Sequence, residues 1–311
     1  MKLSEFELIE HLTRGLESND RVVVGSGDDC AVLDLGVADR EVLFKTDAVV
    51  EGVHFTRESG FERVGRKALA RCLSDVAAMG GQPSAVLVTL GLPKQSRVED
   101  LEELYRGIRG LAARYGVAVV GGETTLNAGA LFVSISLIGL VPRGKAARRS
   151  GARAGDAIFV TGRLGGSIEG RHLDFEPRLE EGAWLCANHS IHAMMDLSDG
   201  LAGDLRHILK ASGVGAELLA RAIPVSREAR RRSTLGDGSK PALLAALTDG
   251  EDFELLFMVA ARDAVAVLDS WRGRFPTVPL SCIGRVEAAA GLRIRDGRGV
   301  RELSAHGHVH F

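Results

Sequence analysis

Cysteine is scarce in this 311-residue chain: Cys30, Cys72, Cys186 and Cys282 stand far apart, and none belongs to a CxxC pair. That spacing argues against paired-thiolate zinc and redox motifs, and predicts reduced, buried small hydrophobes rather than disulfides. Long apolar runs are missing as well. The best, Ala130 to Val141, is interrupted by serines and glycine and falls short of the ~18 residues a membrane helix needs. A formal net charge of −2 provides no basic face to neutralise a phosphate backbone, so neither nucleic acid nor membrane is an expected partner. Glu5, Glu7 and Glu10 stand where a signal peptide would carry basic residues and then an apolar stretch. A cytoplasmic location is therefore expected. No Walker A sequence is present either.

Glycine, by contrast, is abundant: 38 residues against the roughly 22 that an average usage of ~7% would supply. Much of the excess falls in Gly25, Gly27, Gly121, Gly122, Gly162, Gly165 and Gly166, where close backbone approach to a ligand is useful. Carboxylates keep company with glycine and hydroxyls. Asp28-Asp29, Thr46-Asp47, Leu73-Ser74-Asp75 and Met195-Asp196-Leu197-Ser198-Asp199-Gly200 each end an apolar run. Carboxylates crowd together when hard cations hold them, and Mg²⁺ bridging to phosphates is the commonest reason. The pattern predicts a phosphate-handling, Mg²⁺-dependent enzyme.

The length suggests about two domains. Pro142-Arg143-Gly144-Lys145 is the best boundary, giving 1–142 and 143–311. Periodicity predicts helices over 4–16 (capped by Ser4), 64–79, 98–115, 179–188, 201–212 and 261–271, and strands over 22–24, 30–35, 41–46, 85–92, 117–120, 131–141, 157–161, 216–219 and 254–259, with further strands near Ile283 and Leu292. Such alternation implies layered α/β or α+β architecture. The charge run Arg227 to Arg232 reads as a solvated helix face.

Each constellation admits a bland reading beside the chemical one. Gly25-Ser26-Gly27-Asp28-Asp29 is either a hairpin turn closed by an Asx-turn or a cation-holding loop. Asp47 is expected to close a strand, with His54 either a satisfied core histidine or a ligand contact. Asp75 ends a helix rich in small residues; a buried carboxylate there needs a cation or donors, whereas on the surface it needs nothing. Gly121-Gly122-Glu123-Thr124-Thr125 after a buried strand suits phosphate oxygens, or is a plain turn. Arg149 is either solvated or a bidentate phosphate clamp. On a strand starting at Gly250, Glu251 and Phe253 would share a face, an acid and an aromatic suited to a cationic heteroaromatic. His306, His308 and His310 could share a strand face with a transition metal, though no other soft ligand supports this.

Taken together, GDDCAVL, TDAVVEGVHF, KALARCLSDVAAMGGQP, GGETT, RRSGARAGD, MDLSDGLAGDLRHILKASGVGAEL and GEDFELLF identify a chain that resembles the thiamine-monophosphate kinases, within the aminoimidazole ribonucleotide synthetase-like superfamily. The resemblance extends over essentially the whole length. It implies a two-domain α/β fold, with an N-terminal sheet domain that dimerises, a C-terminal α/β domain, and ATP along the cleft between them. It implies Mg²⁺ ligation by Asp29, Thr46, Asp47, Asp75, Asp196 and Asp199, joined by Glu123 where the family usually has Asp. Gly121, Gly122, Glu123, Arg149 and Ser198 would bind ATP; His54, Glu251 and His308 would face thiamine monophosphate. The implied reaction is direct in-line transfer of the ATP γ-phosphoryl group to thiamine monophosphate. Asp75 and Asp199 would act electrostatically through the metal, and no general base would be needed. Departures are Glu123, Lys45 in place of a small hydroxylated residue, His308 in place of an aromatic, and a segment 167–181 shorter than is usual in the family. The competing readings are a non-catalytic nucleotide or thiamine-phosphate sensor and another ATP-using superfamily member. Selenophosphate synthetases would need a reactive Cys near the first glycine loop, and the hydrogenase-maturation relatives a terminal one.

Overall fold

A computed structural model of the chain describes residues 5–304 except 15, 17 and 237–239. After helix α1 (Glu5–Thr13), the first half builds one sheet from β1 (Val22–Val24), β2 (Ala31–Leu33), β3 (Arg40–Val50), β4 (Gln82–Leu92), β5 (Ala118–Leu126) and β6 (Phe132–Pro142), in the order β1-β2-β3-β6-β4-β5. All pairs are antiparallel except β4–β5, which α3 (Val98–Tyr115) links as a crossover. Gly116, in the left-handed region at φ 66°, closes α3, the position where glycine avoids a Cβ clash.

Helix α2 (Phe61–Ala78) is the pillar of the molecule. Fourteen of its residues are buried, Lys67, Ser74 and Asp75 among them. It can be enclosed because its neighbours come unusually close. A Cβ on Gly65 would lie 1.9 Å from the Leu104 carbonyl of α3, and one on Gly107 of α3 would lie 1.8 Å from the Glu62 carbonyl. On the other side, a Cβ on Gly182 of α5 (Leu179–Asn188) would lie 2.0 Å from the Ala77 carbonyl. The short α4 (Arg171–Asp174) precedes α5.

The second sheet runs β13-β12-β9-β11-β7-β10-β8. Its strands are β7 (Ala157–Thr161), β8 (Ala193–Asp196), β9 (Gly215–Leu219), β10 (Leu255–Val259), β11 (Leu280–Glu287), β12 (Gly291–Asp296) and β13 (Gly299–Glu302). Its alternating faces feed two cores. Phe159 and Phe257, stacked at 5.3 Å, join the core around α2. Met195 and Met258 face the opposite core with α6 (Leu201–Ser212) and α8 (Ala242–Thr248). Helices α7 (Arg227–Arg232) and α9 (Ala264–Arg274) complete the second half.

Several expectations change. The first helix spans Glu5–Thr13, and Ser4 lies outside the described residues. Strand β3 continues to Val50, so Asp47 lies within it, opposite Ile135, and does not close it. Residues 121–125 belong to β5 and are not a turn; that strand is exposed rather than buried, because only β4 pairs with it. Residues 250–254 are not strand, and Glu251 and Phe253 both have positive φ (63° and 51°), so strand alternation does not orient them. All four cysteines are free, but Cys282 is exposed and Cys186 half-buried. Among the described residues no helix is long and apolar enough to cross a membrane.

Candidate active site

Three acids from distant parts of the chain meet beside α2. Asp29 follows β1, Asp75 lies near the C-terminal end of α2, and Asp196 ends β8. Each has a carboxylate oxygen within 4.8 Å of the others, and all three are buried. Their partners are unequal. Arg149 reaches Asp29 Oδ1 at 2.5 Å through Nη2 and 3.1 Å through Nε. Lys45 Nζ donates to Asp75 Oδ1 at 3.0 Å. Asp196 Oδ2 accepts the Ser74 hydroxyl at 2.6 Å, and Asp29 Oδ2 is buried with no hydrogen-bond partner.

Burial, with Asp29 next to it, pushes Asp196 up to about 6 against the Ser74 hydrogen bond and the two cations. Burial likewise raises Asp75, against the attraction of Lys45. Three acids facing two cations, one acid oxygen unsatisfied and all donors oxygen: this chemistry fits a hard divalent cation such as Mg²⁺.

A second acidic group adjoins it. Asp199, Asp204 and His207 also bring one ligand atom each within 4.8 Å of one another. Asp204 Oδ2 accepts the Asp199 and Gly200 N–H groups at 3.1 and 3.0 Å, leaving the buried Oδ1 without a partner. Asp199 thus belongs to this group and not to the first.

Asp199 also lines a cavity of about 230 Å³ together with His54, Arg71, Ser198, Glu251 and Phe253. Its polar wall is rigidly held. Lys67, wholly buried, places Nζ 2.7 and 2.8 Å from the two Glu251 oxygens. His172 Nδ1 lies 3.0 Å from Glu251, and Arg71 3.5 Å away. Burial works against the Glu251 charge, yet the His172 hydrogen bond and the Lys67 and Arg71 charges hold it down at about 2. Burial lowers Lys67 to about 8, Glu251 opposing. Phe253 stacks on Phe175 at 4.0 Å, and the Arg71 guanidinium lies 5.9 Å from its centroid.

Of the remaining expected residues, Ser198 and His54 share the cavity wall, whereas Thr46, Glu123 and Gly122 lie away from it. Asp47 is clamped by Arg71 at 2.9 Å (Nε–Oδ2), and it is Arg71, with Lys45, that holds its carboxyl low despite burial. Thr46, one residue away on an alternating strand, is exposed with its hydroxyl against Ser134 and Ser136. Glu123 is exposed on β5, its Oε1 accepting the Thr124 N–H at 2.9 Å. Gly122 packs so tightly on β4 that a Cβ would lie 1.8 Å from the Val88 carbonyl. The Ser198 carbonyl accepts the Glu251 N–H at 2.6 Å. His54 accepts the Val50 N–H through Nδ1 at 3.1 Å, and its carbonyl accepts Lys67. His308 lies outside the described residues.

Sequence reasoning missed Lys67, Arg71, His172, Asp204 and Arg232. Lys67, Arg71 and Asp75 recur every four residues, which on a helix is one face, so that signal was available. Arg232 was read as solvated, but it binds Asp249 at 2.9 Å and lines the cavity. His172 had no such signal.

Residues 27–141 match the model of the AIR synthase related protein N-terminal domain, and 146–297 that of its C-terminal domain. The thiamine-monophosphate kinase of Rhodopirellula baltica is 42% identical over 279 residues, covering 88% of this chain and 86% of that protein. The thiamine-monophosphate kinase of Escherichia coli K12 is 37% identical, with 100% and 99% coverage. The solved structure of AaThiL complexed with AMPPCP and TMP superposes with a TM-score of 0.84 at 32% identity, covering 100% of this chain and 99% of that one. With both domains matched, and relatives of one name aligned along nearly the whole length, the chain belongs to the thiamine-monophosphate kinase family.

Proposed function

We propose that this kinase transfers the γ-phosphoryl group of ATP directly to the phosphate of thiamine monophosphate, giving thiamine diphosphate and ADP, with Mg²⁺ as cofactor. The observation that carries this reading is adjacency: an acidic, cation-fitting cluster borders, through the 196–199 segment, a cavity walled by Glu251 and Phe253. The complex of AaThiL with AMPPCP and TMP supports it.

The acceptor oxygen is ionised near neutral pH, so the reaction needs no base. Its obstacle is like charge: one pair of unit charges 4 Å apart repels by about 4 kcal/mol at an effective dielectric of 20. Asp29, Asp75 and Asp196 would hold Mg²⁺, which supplies charge neutralisation and alignment of the phosphates when bound. Arg149 and Lys45 hold the apo carboxylates together meanwhile. Glu251, kept ionised by Lys67, offers an anion to the thiazolium, while Phe253, buried and stacked on Phe175, braces the same wall. His54 and Ser198 contribute to the same wall. Roles for Thr46, Asp47, Asp199, Gly121, Gly122, Glu123 and His308 toward metal, ATP or substrate rest on the resemblance.

Also proposed are domain limits of 1–142 and 143–311, a cytoplasmic location, and a homodimer. For the last, the outer face of the first sheet supplies the surface: Phe44, Leu87 and Ile138 are 48%, 47% and 44% exposed, with Phe44 directly opposite Ile138.

An assay for ADP release with ATP, Mg²⁺ and thiamine monophosphate tests the reaction. Turnover that requires both the monophosphate and Mg²⁺ is expected. Tight binding of both ligands with no ADP formed would instead identify a sensor.

A further inference from the structure

We propose that the Lys45 ammonium is a built-in cation of the acidic cluster, standing where a divalent ion would otherwise neutralise Asp75, so that the chain binds one divalent ion fewer than it would without this lysine. The inference rests on the reading of Asp29, Asp75 and Asp196 as a divalent-cation site. Lys45 occupies an inward position of β3, in step with the buried Leu43 and Val49. Glu41 and Asp47 share that inward side, and a lysine there is costly unless its charge is paired. The pairing is direct: Nζ lies 3.0 Å from Asp75 Oδ1, with the two side chains 25% and 10% exposed. That exposure separates it from the solvated lysines of the surface, such as Lys210 at 77%.

The cluster is therefore asymmetric. Asp75 has an ammonium and Asp29 Oδ1 a guanidinium, while Asp196 has only the Ser74 hydroxyl and Asp29 Oδ2 has nothing. Room for a divalent ion is on the Asp29–Asp196 side. On the Asp75 side the tethered ammonium supplies one positive charge and repels a second ion. Because it cannot dissociate, it also lets three buried acids coexist before any metal binds.

Mn²⁺ binding by the full-length protein, counted by electron paramagnetic resonance titration without nucleotide, tests this. Melting in EDTA is measured alongside. K45T and K45Q are expected to bind one more Mn²⁺ per chain, or the same number about tenfold more tightly, since tenfold corresponds to ~1.4 kcal/mol. They should also melt lower than wild type in EDTA and gain more from added Mn²⁺. K45Q retains a donor for Asp75 and guards against a variant that does not fold. K45R, which keeps the charge, should match wild type. Unchanged stoichiometry, affinity and EDTA melting in K45T and K45Q would overturn the role of Lys45. Absence of Mn²⁺ binding by wild type itself would instead overturn the cation reading of the cluster, and this inference with it.

Discussion

Glu251 is held in the cavity wall between Lys67, Arg71 and the His172 ring. Its folded pKa of about 2 lies below the ordinary 4.5. A depressed carboxyl contributes stability that is complete above the unfolded value and is lost as pH falls through the folded one. Melting of wild type between pH 5 and 2.5 should therefore show an acid-side loss that Glu251→Gln lessens. At pH 7 the same variant should be less stable by about 3 kcal/mol, because Lys67 is left buried without its counter-charge. Its KM for thiamine monophosphate should rise more than its kcat falls. An equal acid limb in both proteins would contradict the assigned ion pair.

Asp196→Asn separates function from stability. Removing one of three crowded carboxylates relieves like-charge repulsion, so the metal-free protein should melt at the same temperature or higher. Turnover should fall about 100-fold or more, the loss typical when transition-state electrostatics are removed. A variant as fast as the parent would exclude Asp196 from the metal site.

Among the elements, α2 sets the site's geometry, since it carries Lys67, Arg71, Ser74 and Asp75 together. Its register against α3 depends on glycine at the crossing. Gly107→Val would force a methyl-bearing Cβ into the Glu62 carbonyl and should cost about 2–3 kcal/mol by overpacking, with KM increased as α2 is displaced. Gly110→Ala, on the same helix but with nothing within 4 Å of its Cβ, should instead stabilise by about 0.5–1 kcal/mol through helix propensity. Chemical denaturation of the two variants distinguishes a steric requirement from a general intolerance of the helix.

Elements were legible in the sequence in proportion to how local their causes are. Helix α3 follows from its apolar period and Gly116, and β7 from its bounded apolar run. The 250–254 segment deceived because alternation is the same in a strand and in a loop whose turns are made by positive φ at Glu251 and Phe253. Strand β5 deceived because exposure depends on how many neighbours a strand has, which its own residues do not encode.

For the whole molecule, the uncovered face of the first sheet has a measurable consequence. Phe44→Asp puts a charge opposite Ile138 and should convert the proposed homodimer to monomer in analytical ultracentrifugation without unfolding it, since Phe44 is 48% exposed in the single chain. A species of unchanged mass would show that another surface joins the copies, or none.

Recurrent acid-glycine motifs are what led the sequence to be read as metal and phosphate chemistry, because hard cations demand oxygen ligands and the chain supplies them in short, readable words. Which acids stand together is decided by folding. Ser74 and Asp196, 122 positions apart, come within a hydrogen bond, whereas Thr46 and Asp47, adjacent in sequence, face opposite sides of one strand. Proximity in a motif reports local backbone geometry, while proximity in a site comes from sheets and helices packing across the chain. The shielding of Lys67 and the pairing of Lys45 with Asp75 exist only once that packing excludes water.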